Sequence, residues 1–137
     1  MLRHLAHLFA LAIVMTMIDC SRPIASSELA GTYVMNRGHA ADTLILHPDG
    51  QYRRIYVIPG RDPVIDAGKW EAETSAGELS VVLSGFVPRW RVEIDPPGTQ
   101  MDAIPRGFTF LQPERAGGVI QFVVDPDDVW AYVQRQR

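Results

Sequence analysis

The stretch "DTLILHPDGQYRRIYVI", residues 42–58, decides the fold. Two runs rich in Leu, Ile, Val and Tyr flank Pro48-Asp49-Gly50, which supplies a fixed φ, a turn-forming carboxylate and a left-handed position. That pattern is a β-hairpin. If His47 faces Gln51 across it, Leu46 faces Tyr52 and Leu44 faces Arg54. Side chains alternate between the two faces of a strand, so Tyr52 and Arg54 share a face with Leu44 and Leu46. An inward arginine is costly unless a carboxylate or an anionic ligand pairs with it, and Asp42, Asp66 or a bound headgroup are the candidates. The other reading puts Arg54 at an open rim, with its head extended into water.

The same short alternations continue on both sides. "LAGTYVMN" (29–36) precedes the hairpin, and "VIDAGKWEAE" (64–73) follows it and turns through "TSAG" into "ELSVVLSG" (78–85). In "RWRVEID" (89–95), Trp90, Val92 and Ile94 lie on one face and Arg89, Arg91, Glu93 and Asp95 on the other, as in a half-buried antiparallel strand. "GFTFLQ" (107–112) is shorter, and "GVIQFVV" (118–124) turns through "DPDD" into "VWAYVQR" (129–135). No helical period is evident after residue 28. About eight short strands at this spacing predict an all-β fold, either a small antiparallel barrel or a two-sheet sandwich. "PPGTQMDAIPR" (96–106) has three prolines and no period, and reads as a functional loop or as a plain excursion between strands.

"ELAGTY" (28–33), "LILHPDGQYRR" (44–54), "DAGKW" (66–70) and "ELSVVL" (78–83) together resemble the lipocalin-like small domains of bacterial lipoproteins. In those, an L-x-G-x-W/Y strand leads to an L-x-L-x-x-D-G-x-Y hairpin, then a G-x-W strand and an L-x-L strand. The resemblance covers residues 28–83 and implies an antiparallel barrel, often open at one end to an apolar ligand. On that reading Tyr52, Trp70 and Trp90 would hold a small apolar or amphipathic molecule, with Arg54 at the mouth. The chain is shorter than a true lipocalin, lacks the C-terminal helix and opens with Tyr33 in place of Trp. A small barrel can also fill its interior with side chains.

The N-terminus reads as an address. A basic start, Met1-Leu2-Arg3-His4, precedes the apolar run Leu5–Ile18, whose 14 residues fall short of a membrane span; a spanning helix needs about 20. This is the pattern of a secretory signal peptide. The only cysteine, Cys20, stands where a lipoprotein signal places its lipidated residue. Residues 17–20 resemble a lipobox, although Met17 and Asp19 depart from its usual Leu and small residue. Ser21 resembles the outer-membrane sorting preference. The alternative is ordinary cleavage after Ser27, with Ala25 and Ser27 as the small residues. Either way, residues 1–27 contain the signal and residues 28–137 are expected as one β domain. That domain would lie outside the cytoplasm, in the periplasm or as an outer-membrane lipoprotein held to the membrane through Cys20.

Composition narrows the function. The 137 residues carry 13 basic and 16 acidic side chains, for a net charge of −3, and no basic block that would follow a phosphate backbone. Nucleic acid is therefore not expected as a partner. Residues 28–137 contain no cysteine, so this domain must stand on its core without an internal disulfide. His39 and His47, the histidines left after a leader is removed, would lie ~26 Å apart along an extended chain, too far to share a metal. Asp125, Asp127 and Asp128 read as turn residues before they read as calcium ligands. Glu71 and Glu73 read as the solvated side of the strand that carries Trp70. No serine sits in a nucleophile elbow, so neither enzymatic activity nor a cofactor is expected. Two expectations follow: an exported envelope protein that binds a small apolar ligand, or a structural or protein-interaction domain with a filled core and no ligand.

Overall fold

The computed structural model describes residues 22–37, 40–87, 107–125 and 130–136. Six strands follow one another as an antiparallel meander: β1 (Gly31–Arg37), β2 (Ala40–Leu46), β3 (Gln51–Val57), β4 (Val64–Ser75), β5 (Glu78–Phe86) and β6 (Gly107–Leu111). Three more, β7 (Pro113–Ala116), β8 (Val119–Asp125) and β9 (Trp130–Gln134), return so that β9 pairs with β1. The strand order is β6-β5-β4-β3-β2-β1-β9-β8-β7 in a single sheet. Its two ends, β6 and β7, are separated in the chain by Gln112 alone. A sheet whose opposite edges are joined by one residue must curl until they meet. The result is a nearly closed antiparallel barrel. The sandwich alternative fails because the ladders run unbroken through one sheet.

The central hairpin has the register its sequence dictates, with Leu46 opposite Tyr52 and Leu44 opposite Arg54. Its turn is closed by His47 N–H donating to the Gln51 carbonyl at 2.9 Å, with Gly50 at φ +82°. Burial alternates along β2 and β3, so Asp42, Leu44, Leu46, Tyr52, Arg54 and Tyr56 all face the interior. Strand β7 was not expected from the sequence, since "PERA" has no alternation of apolar residues; pairing with β8 makes it a strand. Bulges in the β5–β6 and β8–β9 ladders, at Ser84/Phe86 and Val123/Asp125, add the local bend that a barrel wall needs. The expected strand 89–95, with Trp90, and the loop 96–106 lie outside the described residues.

Aromatic and branched side chains fill the interior: Tyr33 and Phe122 pack with ring centroids 4.6 Å apart, and Tyr52 and Phe86 at 6.2 Å. Burying each such ring contributes on the order of 1.5–3 kcal/mol. One end of the barrel is plugged by the segment before β1. Leu29 is fully buried, Ile24 packs against the core, and the Tyr33 hydroxyl donates to the Leu29 carbonyl at 2.7 Å. A single 3-10 turn, Ser26–Glu28, shapes this plug. The Glu28 carboxylate accepts from Ala25 N–H at 2.9 Å and from Arg115 of β7 at 3.1 Å, tying the plug to the far side of the closure.

Candidate functional site

Arg54 is the largest fully buried side chain described. Strand alternation aims it inward from the middle of β3, between Leu44 of β2 and Asp66 of β4. Asp42 lies two residues along β2, on the diagonal, and takes the fork of the guanidinium. Nε donates to both Asp42 oxygens, at 2.8 and 3.0 Å, and Nη2 donates to Oδ2. Nη1 donates to the Val87 carbonyl at 2.5 Å and lies 3.8 Å from the Asp66 carboxylate. From β9, the Tyr132 hydroxyl donates to Asp42 Oδ2 at 2.7 Å. The guanidinium carbon lies 4.5 Å from the centre of the Phe86 ring and 5.7 Å from that of Tyr56, two cation–π contacts inside the barrel.

The electrostatics follow from burial and pairing. Burial pulls the Arg54 pKa down, but the hydrogen bond to Asp42 and the surrounding negative groups more than offset it and hold the guanidinium above its ordinary value. Burial pushes the Tyr132 phenol well up, opposed by the Arg54 charge and reinforced by that of Asp42. Tyr33 is pushed up by burial alone. The fork–fork geometry and the additional donors and acceptors are what make so deep an ion pair tolerable.

The expected rim position of Arg54 is therefore corrected. The side chain is sealed inside and paired with Asp42 and Asp66, two of the partners expected for an inward arginine. No headgroup is needed to satisfy it. Tyr52 is also buried, its hydroxyl donating to the Ser84 carbonyl at 3.1 Å. Trp70 is half-buried in the middle of β4, on the inward face: it lies opposite Leu83 of β5, packs against the core that includes Tyr52, and donates its indole Nε1–H to the His47 carbonyl at 2.8 Å. Trp90 and Cys20 lie outside the described residues. Glu71 and Glu73 are exposed on the outer face of β4. Among the described residues, no group of three or more His, Cys, Asp or Glu is placed to hold a metal ion.

Two concavities of the described surface lie on the outside of the barrel. One crosses β1, β8 and β9 between Val34, Val123 and Trp130, with a polar rim that includes Glu114 and Gln134. Another, of about 370 Å³, lies over the outer face of β4 and β5 beside the hairpin turn and is lined by Lys69, Glu71, Ser84 and Phe108. Phe108 had no place among the sequence candidates. "GFTFLQ" signalled a strand, but nothing local reveals that Phe108 and Phe110 point outward. Comparison with known proteins finds no family model and no curated protein that matches this chain.

Proposed function

We propose that this chain is an exported, non-enzymatic protein of the bacterial cell envelope whose barrel is a filled scaffold and whose outer surface makes its contacts. The observation that carries this reading is the Asp42–Arg54–Tyr132 cluster, which occupies the interior where a carried ligand would lie. An apolar ligand entering there would separate Arg54 from Asp42. It would leave charges desolvated and unpaired, a penalty of several kcal/mol per ion. The carrier reading, with Tyr52, Arg54, Trp70 and Trp90 around one internal molecule, competes for space already taken: Tyr52 and Trp70 both pack with the core, and the Tyr52 hydroxyl and the Trp70 indole are bonded to backbone carbonyls.

The barrel plug supports processing at Cys20 over cleavage after Ser27. Cutting after Ser27 would remove Ile24 from the core and Ala25 from Glu28. Retention of residues 20–27 keeps both, and leaves a lipid on Cys20 as the tether to the periplasmic face of a membrane. Two measurements test the reading. The intact mass of the protein from its host's membrane fraction is expected to equal residues 20–137 plus a diacylglyceryl group and an acyl chain. A bare chain beginning at Glu28 in the soluble fraction would overturn the tether. Dodecanoate and heme, titrated against the same protein, are expected to leave the aromatic resonances of Phe122 and Tyr132 unmoved. Saturable shifts there would overturn the filled scaffold.

A further inference from the structure

The outer face of β6 holds two aromatic rings in water. Phe108 and Phe110 are 72% and 64% exposed, while Leu111 turns inward and is buried. On β5, Ser84 pairs with Phe108 and Val82 with Phe110, and Ser80 continues the same outward face. These side chains form an uncharged strip across β5 and β6, bordered on β4 by Glu71 opposite Val82 and Glu73 opposite Ser80. The strip ends beside the plug. Gln112 and Pro113, which follow β6, line a shallow depression together with Pro23, Ile24 and Ser26 of the plug. The described chain begins at Arg22, which is exposed at this corner of the barrel. Only Ser21 stands between Arg22 and Cys20 in the chain, so a lipid on Cys20 is joined within about 7 Å of Arg22.

We infer that the Phe108–Phe110 strip rests on the lipid surface that holds Cys20, with its rings at the boundary between headgroups and acyl chains. The inference rests on the proposed Cys20 tether. Two arguments carry it. The chain leaves the barrel beside the end of β6, so a tether this short brings the strip close to the bilayer. The exposed area decides against a protein partner, a second copy included. Two phenyl rings at these exposures offer roughly 300 Å². A stable protein interface takes about 800 Å² from each partner. A bilayer sets no such minimum, and phenyl rings are favoured at its interface. The lipid chains supply the affinity, and the rings decide which side of the barrel faces the membrane. Val57 and Ile65, exposed at the ends of β3 and β4 remote from the plug, then stand away from it.

The test uses the isotope-labelled protein from its host's membrane fraction, placed in nanodiscs of phosphatidylethanolamine and phosphatidylglycerol. Part of the lipid carries a nitroxide at the top of an acyl chain. The amide resonances of Phe108, Phe110 and Ser84 are expected to broaden beyond detection, while those of Val57 and Ile65 stay sharp. The double variant Phe108→Ser, Phe110→Ser is expected to keep the melting temperature, since exposed rings support little of the fold. It should also even out the broadening between Ser84 and Ile65, because the tether alone fixes no orientation. Sharp Phe108 and Phe110 signals in a lipidated protein, or broadening shared equally with Ile65, would overturn the inference and leave the tether standing. Sharp signals with chains cross-linked in pairs through β6 would overturn it in favour of a second copy. The tether is read separately, by intact mass, and a chain without lipid overturns both.

Discussion

Arg54 holds together side chains from four strands. Its guanidinium touches Asp42 of β2, Asp66 of β4, the chain just past β5 and, through Asp42, Tyr132 of β9. Removing it strands two buried carboxylates. Arg54→Ala is therefore expected to destabilise the protein by about 3–5 kcal/mol in a denaturant melt. Arg54→Lys keeps the charge but loses the planar fork, so it should retain part of that stability. Equal losses for the two variants would show that packing, not pairing, is what Arg54 supplies. Much of this was legible locally. The alternation in "QYRRIYV" turns one arginine of the pair inward, and Asp42 and Asp66 lie within reach on the flanking strands. Tyr132 was not legible as a partner, because it is 90 residues from Asp42 and only the closure of the barrel brings them together.

At the scale of elements, two positions are set by backbone geometry. The β4–β5 hairpin turns through Ala76 and Gly77, both at positive φ, 52° and 85°. Glycine adopts that conformation freely and alanine does not. Ala76→Asn is expected to raise stability by roughly 0.5–1 kcal/mol, read as a shift in the denaturation midpoint at constant m-value. Gly68 is the reverse case, a site of close approach. A Cβ there would meet the Ser84 carbonyl at 2.2 Å and the Tyr52 ring at 2.8 Å. Gly68→Ala should cost about 1–3 kcal/mol, because the backbone of β5 must move to admit it. An unchanged melt would mean that β4 and β5 are less tightly apposed. The "DAGKW" pattern signalled a glycine–aromatic strand, yet it could not say which backbone crosses over the glycine. β7 was illegible for a related reason. A four-residue strand beginning with proline and carrying two charges is made by its partner, not by its own period.

For the whole molecule, the two phenols whose pKa burial raises tie stability to high pH. The folded protein keeps Tyr33 and Tyr132 protonated where an unfolded tyrosine, at about 10, would ionise. Above that pH the unfolded chain binds fewer protons than the folded one, so stability falls as pH rises and is fully present below it. Alkaline unfolding is expected to release these phenolates cooperatively with the loss of structure, followed by ultraviolet difference absorbance. Phenolates appearing gradually, before unfolding, would contradict their burial. The global shape was partly legible. Short strands and turns specified an antiparallel sheet, and their period specified which residues face inward. A hairpin's register is a local property, fixed by a turn and by the repeat of two, and the sequence by itself determined it for residues 42–58. Closure is not local. It depends on β9 finding β1 and on one residue, Gln112, joining the two edges of the sheet. Only that tertiary closure decided that Arg54 is sealed in and that Tyr132 reaches Asp42. Contacts between residues far apart in the chain are set by the whole fold, and no short stretch of sequence carries them.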